Sequence, residues 1–253
     1  MTDSNASSSS SYEPAAPTPA TEQPASWWED FIDIFYTPST VFARRANAGF
    51  GLPMLVVTVL LGLVLFAMFR AMQPVMDAEF QRGAAAAMAK NPKVTAEMMQ
   101  SMRTMTEKVA PYITFIIIPV SIFLVGLILW LVGKLFDARI TLNQAILVSS
   151  FAWMPRVIEA VLNGVQGLLL DPATLNGRYR LSLGLGRFFD PDVASPLLLS
   201  VIGRLDLFTI WVTVLMAIGL SVLGKIPRSR AALAAALVWV IGALPAILQA
   251  ART

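Results

Sequence analysis

Five long apolar runs dominate the chain, and each is close to the length needed to cross a lipid bilayer. A transmembrane helix needs about 20 consecutive apolar residues. Charged residues make up 14% of the chain, which is too few to cover the surface of a soluble domain. The sequence therefore predicts an all-α, polytopic integral membrane protein, a bundle of about five transmembrane helices with a short interfacial N-terminal helix. The expected spans are 52–70, 112–133, 142–169, 196–223 and 231–249.

The first 26 residues are rich in Ser, Ala, Pro and Thr and contain almost no large apolar side chains. Such a composition cannot bury enough surface to offset the entropy of folding. Residues 1–26 are therefore predicted to form a disordered cytoplasmic tail, and a short partner-binding motif within it is the alternative. The segment lacks the apolar core of a cleavable signal peptide, so the first span is expected to act as the targeting signal.

Residues 27–50 are predicted to form an interfacial amphipathic segment. Apolar residues fall near one helical face, and Thr37 before Pro38 resembles the start of a second short helix. The residues of that face are Trp27, Phe31, Ile34 and Phe35. Aromatic residues beside terminal arginines are typical of a helix lying in the membrane interface. The alternative, which is compatible with the first, is that these aromatic residues pack on the protein's own helices.

A polar insert at 73–110 separates the first two spans, and the transmembrane domain as a whole is expected over 51–250. Pro92 divides the insert into two predicted helices, because proline disfavours helix in the residue before it. The second carries an apolar face with spacings of 4, 3 and 4. That face is either an amphipathic surface filled by adaptable methionines or, less simply, a thioether site for Cu(I). Its residues are Met98, Met102, Met105 and Val109.

Proline and glycine residues mark positions where a kink or a break is expected within two of the other spans. Pro119 lies inside the second span, where a kink is expected. The fourth span either runs unbroken over 196–223 or breaks at Gly203, which would leave a shorter membrane helix from about residue 206.

Two polar stripes are predicted inside the membrane. Residues on one helical face recur every three or four positions, and both stripes follow this spacing. A charge at the centre of a bilayer costs roughly 2.5–3.5 kcal/mol on insertion scales, so such groups normally face the bundle and find partners. One stripe lies on the third span and the other on the fourth, and Arg204 lies beside the second. The stripe residues are Arg156, Glu159, Asn163 and Gln166, then Asp206, Thr209 and Thr213.

The simplest arrangement faces the two stripes and pairs Arg156 with Asp206. Glu159 is then expected to pair with Arg156 or with Arg204. These pairs either hold the bundle together or mark a path for a substrate, a proton or a lipid.

Basic residues are concentrated in the short turns that precede the third and fifth spans. Because short loops rich in Lys and Arg stay in the cytoplasm, the N-terminus is predicted to be cytoplasmic and the C-terminus to lie outside. The residues that carry this prediction are Arg44, Arg45, Lys134, Arg139, Lys225, Arg228 and Arg230.

The residue types exclude several function classes. The chain has no Cys and no His, which removes thiol nucleophiles, disulfides, Cys/His metal sites and most neutral-pH general bases. No phosphate-binding loop, dinucleotide-binding or hydrolase motif is present. A net charge of +3 is small for a nucleic-acid-binding protein. The sequence predicts no enzyme, no cofactor, no metal and no nucleic-acid partner.

Three stretches resemble the Yip family of Ypt/Rab-interacting membrane proteins, in its bacterial branch. They are DIFYTPSTVFARR before the first span, SSFAWMP in the third, and DLFTIWVTVLMAIGLSVLGKIPRSRAA from the fourth span onward. The likeness covers about residues 30–250 and implies a cytoplasmic N-terminal region before a five-helix membrane domain. The insert at 73–110 departs from the compact first loop of the family. The motif positions are Phe35, Pro38, Phe42, Pro155, Asp206, Phe208, Trp211 and Gly219.

The resemblance supports the fold more than the function. Eukaryotic members bind prenylated Rab-type GTPases in vesicle traffic, a role that a bacterium has no use for. The sequence therefore predicts a multi-pass protein of the bacterial inner membrane that acts as a scaffold or interaction factor. Its expected partners are the lipid bilayer and membrane proteins or further copies of itself. The alternatives are a small transporter or channel subunit that uses the polar stripes, and a membrane-embedded enzyme.

Overall fold

The computed structural model describes residues 26–251. The predicted disordered tail therefore lies almost wholly outside the described residues. Within residues 26–251 the chain is α-helical, and its only β pairing is one isolated bridge between Gly184 and Asp206. The all-α fold class is confirmed.

Two short helices form an N-terminal hairpin. Helix α1 spans Trp27–Asp33 and helix α2 spans Pro38–Arg44. Ser26 and Glu29 cap the start of α1 reciprocally, and Pro38 occupies the first position of α2, where its missing N–H is not needed.

Within the described part of the chain, nine further helices follow the hairpin, and three short 3-10 turns lie between α7 and α8. The loop that carries these turns, residues 171–195, lies at the end of the bundle where α3 finishes. The helices are α3 Gly51–Ala67, α4 Gln73–Lys90, α5 Ala96–Leu135, α6 Leu142–Ala152, α7 Met154–Leu169, α8 Pro196–Ile202, α9 Leu207–Gly224, α10 Arg228–Ile241 and α11 Leu244–Ala250.

Four helical segments of the described chain are long and apolar enough to cross a membrane, and α3 is a shorter apolar helix beside them. The chain is thus a multi-pass membrane protein. The four segments are Ala96–Leu135, Leu142–Leu169, Leu207–Gly224 and Arg228–Ala250.

Helix α5 joins two elements that the sequence analysis treats separately. It runs for 40 residues and includes both the second half of the insert and the expected span at 112–133. Pro111 and Pro119 lie inside it without ending it. Each proline removes a single N–H donor, a loss that helices of membrane proteins tolerate through neighbouring groups and small adjustments.

The expected spans 142–169, 196–223 and 231–249 are each interrupted in the structure. Pro155 and Pro245 cannot donate to the carbonyls of Phe151 and Ile241, and the helices break just before these prolines. The fourth span divides between α8 and α9 at residues 203–206, which is the alternative that placed a break at Gly203.

Helix α6 forms the centre of the bundle, and residues 145–152 are all buried. Helices α3, α5 and α9 pack around it, and α10 packs on α9. At the end away from the basic turns, α4 and the start of α5 pack with loop 171–195. This assembly, the cap, has a small core of Val75, Leu175 and Leu181.

Candidate functional site

Arg156 links the two helices that carry the predicted polar stripes. Its Nη1 donates to Glu159 Oε2 at 2.5 Å on the same helix, and its Nη2 donates to Thr209 Oγ1 at 3.0 Å on α9. The guanidinium therefore ties α7 to α9 while its charge is balanced within α7. Both charged side chains keep about a quarter or less of their surface exposed, at 26% and 20%.

Asp206 begins helix α9 and is buried. Its Oδ1 accepts the N–H groups of Phe208 at 2.9 Å and Thr209 at 3.3 Å, and its Oδ2 accepts the Ser182 hydroxyl at 2.8 Å. The carboxylate thus accepts hydrogen bonds from amides of the first turn. Its negative charge also interacts favourably with the positive end of the helix dipole. The Ser182 bond also fixes loop 171–195 to the start of α9.

The expected direct pair between Arg156 and Asp206 does not form. No ion pair joins these two residues within residues 26–251, because each side chain has nearer partners. The reason is the helix break at residues 203–206, which converts Asp206 from a mid-helix position into a helix cap. Glu159 pairs with Arg156 on the same helix, which is one of the two partners expected for it from the sequence.

Arg204 points toward α10 instead of Glu159. Its Nη2 donates to the carbonyl of Trp239 at 3.0 Å, and its guanidinium lies 5.6 Å from the centre of the Trp239 ring. The Arg204 Nε is buried and has no hydrogen-bond partner within the described chain. The residue anchors the α8–α9 connection to α10.

The remaining stripe residues extend the contacts in different directions. Gln166 Nε2 donates to the carbonyl of Leu181 at 3.0 Å and so attaches α7 to the cap. Thr213 Oγ1 donates to the Thr209 carbonyl within α9 at 2.8 Å. Asn163 is half-buried on the same helix as Gln166. The structure therefore brings Arg156, Glu159 and Thr209 into one hydrogen-bonded cluster. The other stripe residues bind different partners or lie beside this cluster.

Several positions that resemble the Yip family lie where the N-terminal hairpin packs on α9. Phe35 meets Trp211 edge to face at 5.5 Å between ring centres, and Trp211 stacks on Phe208 at 6.4 Å. Phe42 is fully buried, and its Cε2 would lie only 3.2 Å from a Cβ added to Gly219. Phe35 and Phe42 thus pack on the protein's own helices, whereas Trp28 and Tyr36 are exposed.

Two prolines in these motifs act on the backbone. Pro38 begins α2 and Pro155 lies in the first turn of α7. In the first turn of a helix the backbone N–H has no partner within the helix, so a proline there costs no hydrogen bond.

A buried ionic cluster holds the base of the hairpin, and the sequence analysis did not identify it. Asp30 is fully buried and binds Arg44 and, at 2.5 Å, Arg45. Arg44 also binds Asp33 at 2.8 Å, and Arg45 lies 3.9 Å from the Trp27 ring. The signal available in the sequence was the pair of acidic residues in α1 opposite the two arginines that end α2.

The cap is joined by polar contacts between α4 and loop 171–195. Arg82 binds Asp192 at 2.8 Å and Glu79 at 3.3 Å, and Glu79 accepts the N–H of Arg178 at 3.1 Å. The N–H of Asp192, hydrogen-bonded to Asp190, holds the pKa of the Asp190 carboxyl below its ordinary value.

The geometry defines a helical membrane protein in which the charged side chains of the two polar stripes bind groups of its own helices and loops. A family model, the Yip1 domain, matches residues 32–248. The chain belongs to the Yip family. No curated protein and no solved structure matches it.

Proposed function

We propose that this protein is a non-enzymatic membrane scaffold of the Yip type that binds membrane proteins or lipids. The observation that carries the proposal is the engagement of the stripe charges within the molecule. Arg156 is shared by Glu159 and Thr209, and Asp206 is used as a helix cap. Groups that conduct a substrate must exchange partners, whereas these groups join α7, α9 and the cap.

The methionine stripe of the cap supplies a surface for partners. The exposed fractions of Met98, Met102 and Met105 are 52%, 59% and 70%. Arg103 lies on another face of α5 and binds Asp77 of α4 at 2.6 Å, which leaves the methionines uncovered. Flexible thioether side chains adapt to varied apolar partners, as expected of an interaction surface.

We place the protein in a bacterial cytoplasmic membrane with its N-terminus in the cytoplasm. The support is the concentration of basic residues in the short turns at 134–139 and 224–230. The cap then lies on the outer side, because α3 starts beside the first basic turn and ends near the cap. The start of α3 is located by the hydrogen bond of 2.9 Å from Asn143 Nδ2 to the Ala48 carbonyl.

Site-specific crosslinking tests the scaffold role. A photoreactive residue at Met105 is expected to give discrete adducts in intact cells, identified by mass spectrometry as membrane proteins or as a second copy. The matched control is Gln100, an exposed polar position on a different face of the same helix. Equal adducts at both positions, or none at Met105, would contradict the proposed surface.

Cysteine accessibility separates the scaffold from a transporter. The native chain has no Cys, so single cysteines can be placed at Asn163, Gln166, Thr209 and Thr213. We expect no reaction with a membrane-impermeant thiol reagent in intact cells or inverted vesicles, because a scaffold has no water-filled path along these two helices. Labelling of these positions would favour a water-filled path and the transporter function.

Two marker positions serve as the topology control for this experiment. A cysteine at Ser9 is expected to react only from the cytoplasmic side, and one at Thr95 only from outside. The reverse pattern would overturn the proposed orientation without affecting the question of a water path.

A further inference from the structure

An apolar groove lies between the N-terminal hairpin and the last two long helices. It encloses about 390 Å³ between α2, α9 and α10. Val214, Ile218 and Val222 line it from α9, and Ala232 lines it from α10. At 1.5 Å of rise per residue, the α9 wall from 214 to 222 is about 12 Å long. The groove is thus mainly apolar and extends for about two turns of α9.

One end of the groove carries a positive charge. Arg228 lines the groove where α10 begins, within the basic turn that connects it to α9. Its side chain makes no ion pair within residues 26–251, whereas Arg230 in the same turn binds Asp137 at 3.3 Å. No carboxylate lines the groove. Among the described residues, the site therefore combines a mainly apolar wall with one cation, Arg228, that makes no ion pair.

The location of the groove determines what can fill it. Helix α9 is long and apolar enough to span the membrane, and the groove occupies its half next to the basic turn. The exposed fraction of Val214 is 48%, so the apolar end opens to the surrounding lipid. Arg228 then lies near the depth of the lipid headgroups, where basic residues at the ends of spans are found.

We propose that this groove binds an anionic phospholipid, with part of one acyl chain along α9 and the phosphate against Arg228. Apolar burial of methylene groups supplies attraction for the chain. The guanidinium supplies a charge-assisted contact for the phosphate. A zwitterionic lipid offers the same chain, but the positive charge of its headgroup offsets the attraction of Arg228.

This inference deepens the scaffold proposal by naming a lipid class, and in that sense it rests on it. The two remain separable. Lipid binding is measured on the purified full-length chain without any partner protein, so a failure of Met105 crosslinking does not affect it. Conversely, a groove that binds no lipid leaves the partner surface of the cap untouched.

Native mass spectrometry of the purified full chain tests the proposal. Phosphatidylglycerol and phosphatidylcholine with identical acyl chains are titrated separately. We expect the wild-type chain to bind phosphatidylglycerol about tenfold more tightly, the scale of one charge-assisted contact. Arg228→Gln is expected to abolish this preference. Ala232→Trp, at an exposed position in the groove wall, is expected to weaken binding of both lipids.

Lys225→Gln is the matched control, because it removes an equal charge from the same turn at a position that does not line the groove. It is expected to keep the full preference. Equal loss in Lys225→Gln and Arg228→Gln, or an unchanged preference in Arg228→Gln, would overturn the site in favour of diffuse surface charge. Inorganic phosphate is the last arm. If inorganic phosphate alone binds the wild-type chain as tightly as phosphatidylglycerol does, binding of an acyl chain in the groove is rejected.

Discussion

Replacement of Asp30 by alanine is expected to lower the free energy of unfolding by about 3–5 kcal/mol, the usual effect of removing one partner from a buried ionic cluster. The Asp30 carboxylate is fully buried and binds both Arg44 and Arg45. Without it, Arg44 and Arg45 each lose a fully buried ionic partner. We expect the N-terminal hairpin to detach from α6 and α9.

The measurement is equilibrium unfolding of the detergent-solubilised protein, combined with limited proteolysis after Arg44 and Arg45. Asp33→Ala is the matched control, since the Asp33 side chain is 38% exposed and Arg44 is its only ion-pair partner within residues 26–251. An exposed pair of this kind contributes about 0–1 kcal/mol. Equal losses in the two variants would show that the burial of Asp30 does not distinguish its role.

The second large effect is expected at the contact between α5 and α6. A Cβ added to Gly126 would lie 2.7 Å from Cα and 3.1 Å from the backbone nitrogen of Ile146. Backbone atoms of a central buried helix cannot move aside as a side chain can. Gly126→Ala is therefore expected to force the helices apart and lower the free energy of unfolding by about 1–3 kcal/mol.

Gly133→Ala on the same helix is the control for this prediction. There the nearest atom to an added Cβ is the terminal Leu220 Cδ1 at 3.1 Å, which can move by rotation of its side chain. Parallel unfolding curves should show a much smaller shift for Gly133→Ala. A Gly126→Ala variant as stable as the wild type would show that α5 and α6 do not depend on this close approach.

Much of the fold follows from local properties of the sequence. The apolar runs and the low content of charged residues predicted an all-α polytopic membrane protein, and the structure confirms that class. The three motif stretches predicted membership of the Yip family, which the family model confirms. The assignment of the chain to the bacterial branch of the family stays a prediction. The lengths of individual helices were harder to predict, because α5 continues through Pro111 and Pro119 while α6 ends before Pro155.

Side-chain partners were the part that the sequence could not assign. Helical periodicity placed Arg156 and Asp206 on two polar stripes. It did not reveal that the second stripe begins at a helix end. The structure makes Asp206 a cap and gives Arg156 to Glu159 and Thr209. The cluster around Asp30 was also not predicted, because Arg44 and Arg45 are 14 and 15 residues away from Asp30 along the chain.

The sequence by itself determined that the chain enters a membrane as several helices, because hydropathy is a sum over neighbouring residues and needs no knowledge of the fold. Tertiary structure alone decided which charges meet, where the spans break and which apolar faces stay open. Those outcomes depend on contacts between residues far apart in the chain, such as Phe35 with Trp211 and Arg204 with Trp239. Their energies exist only once the helices have packed.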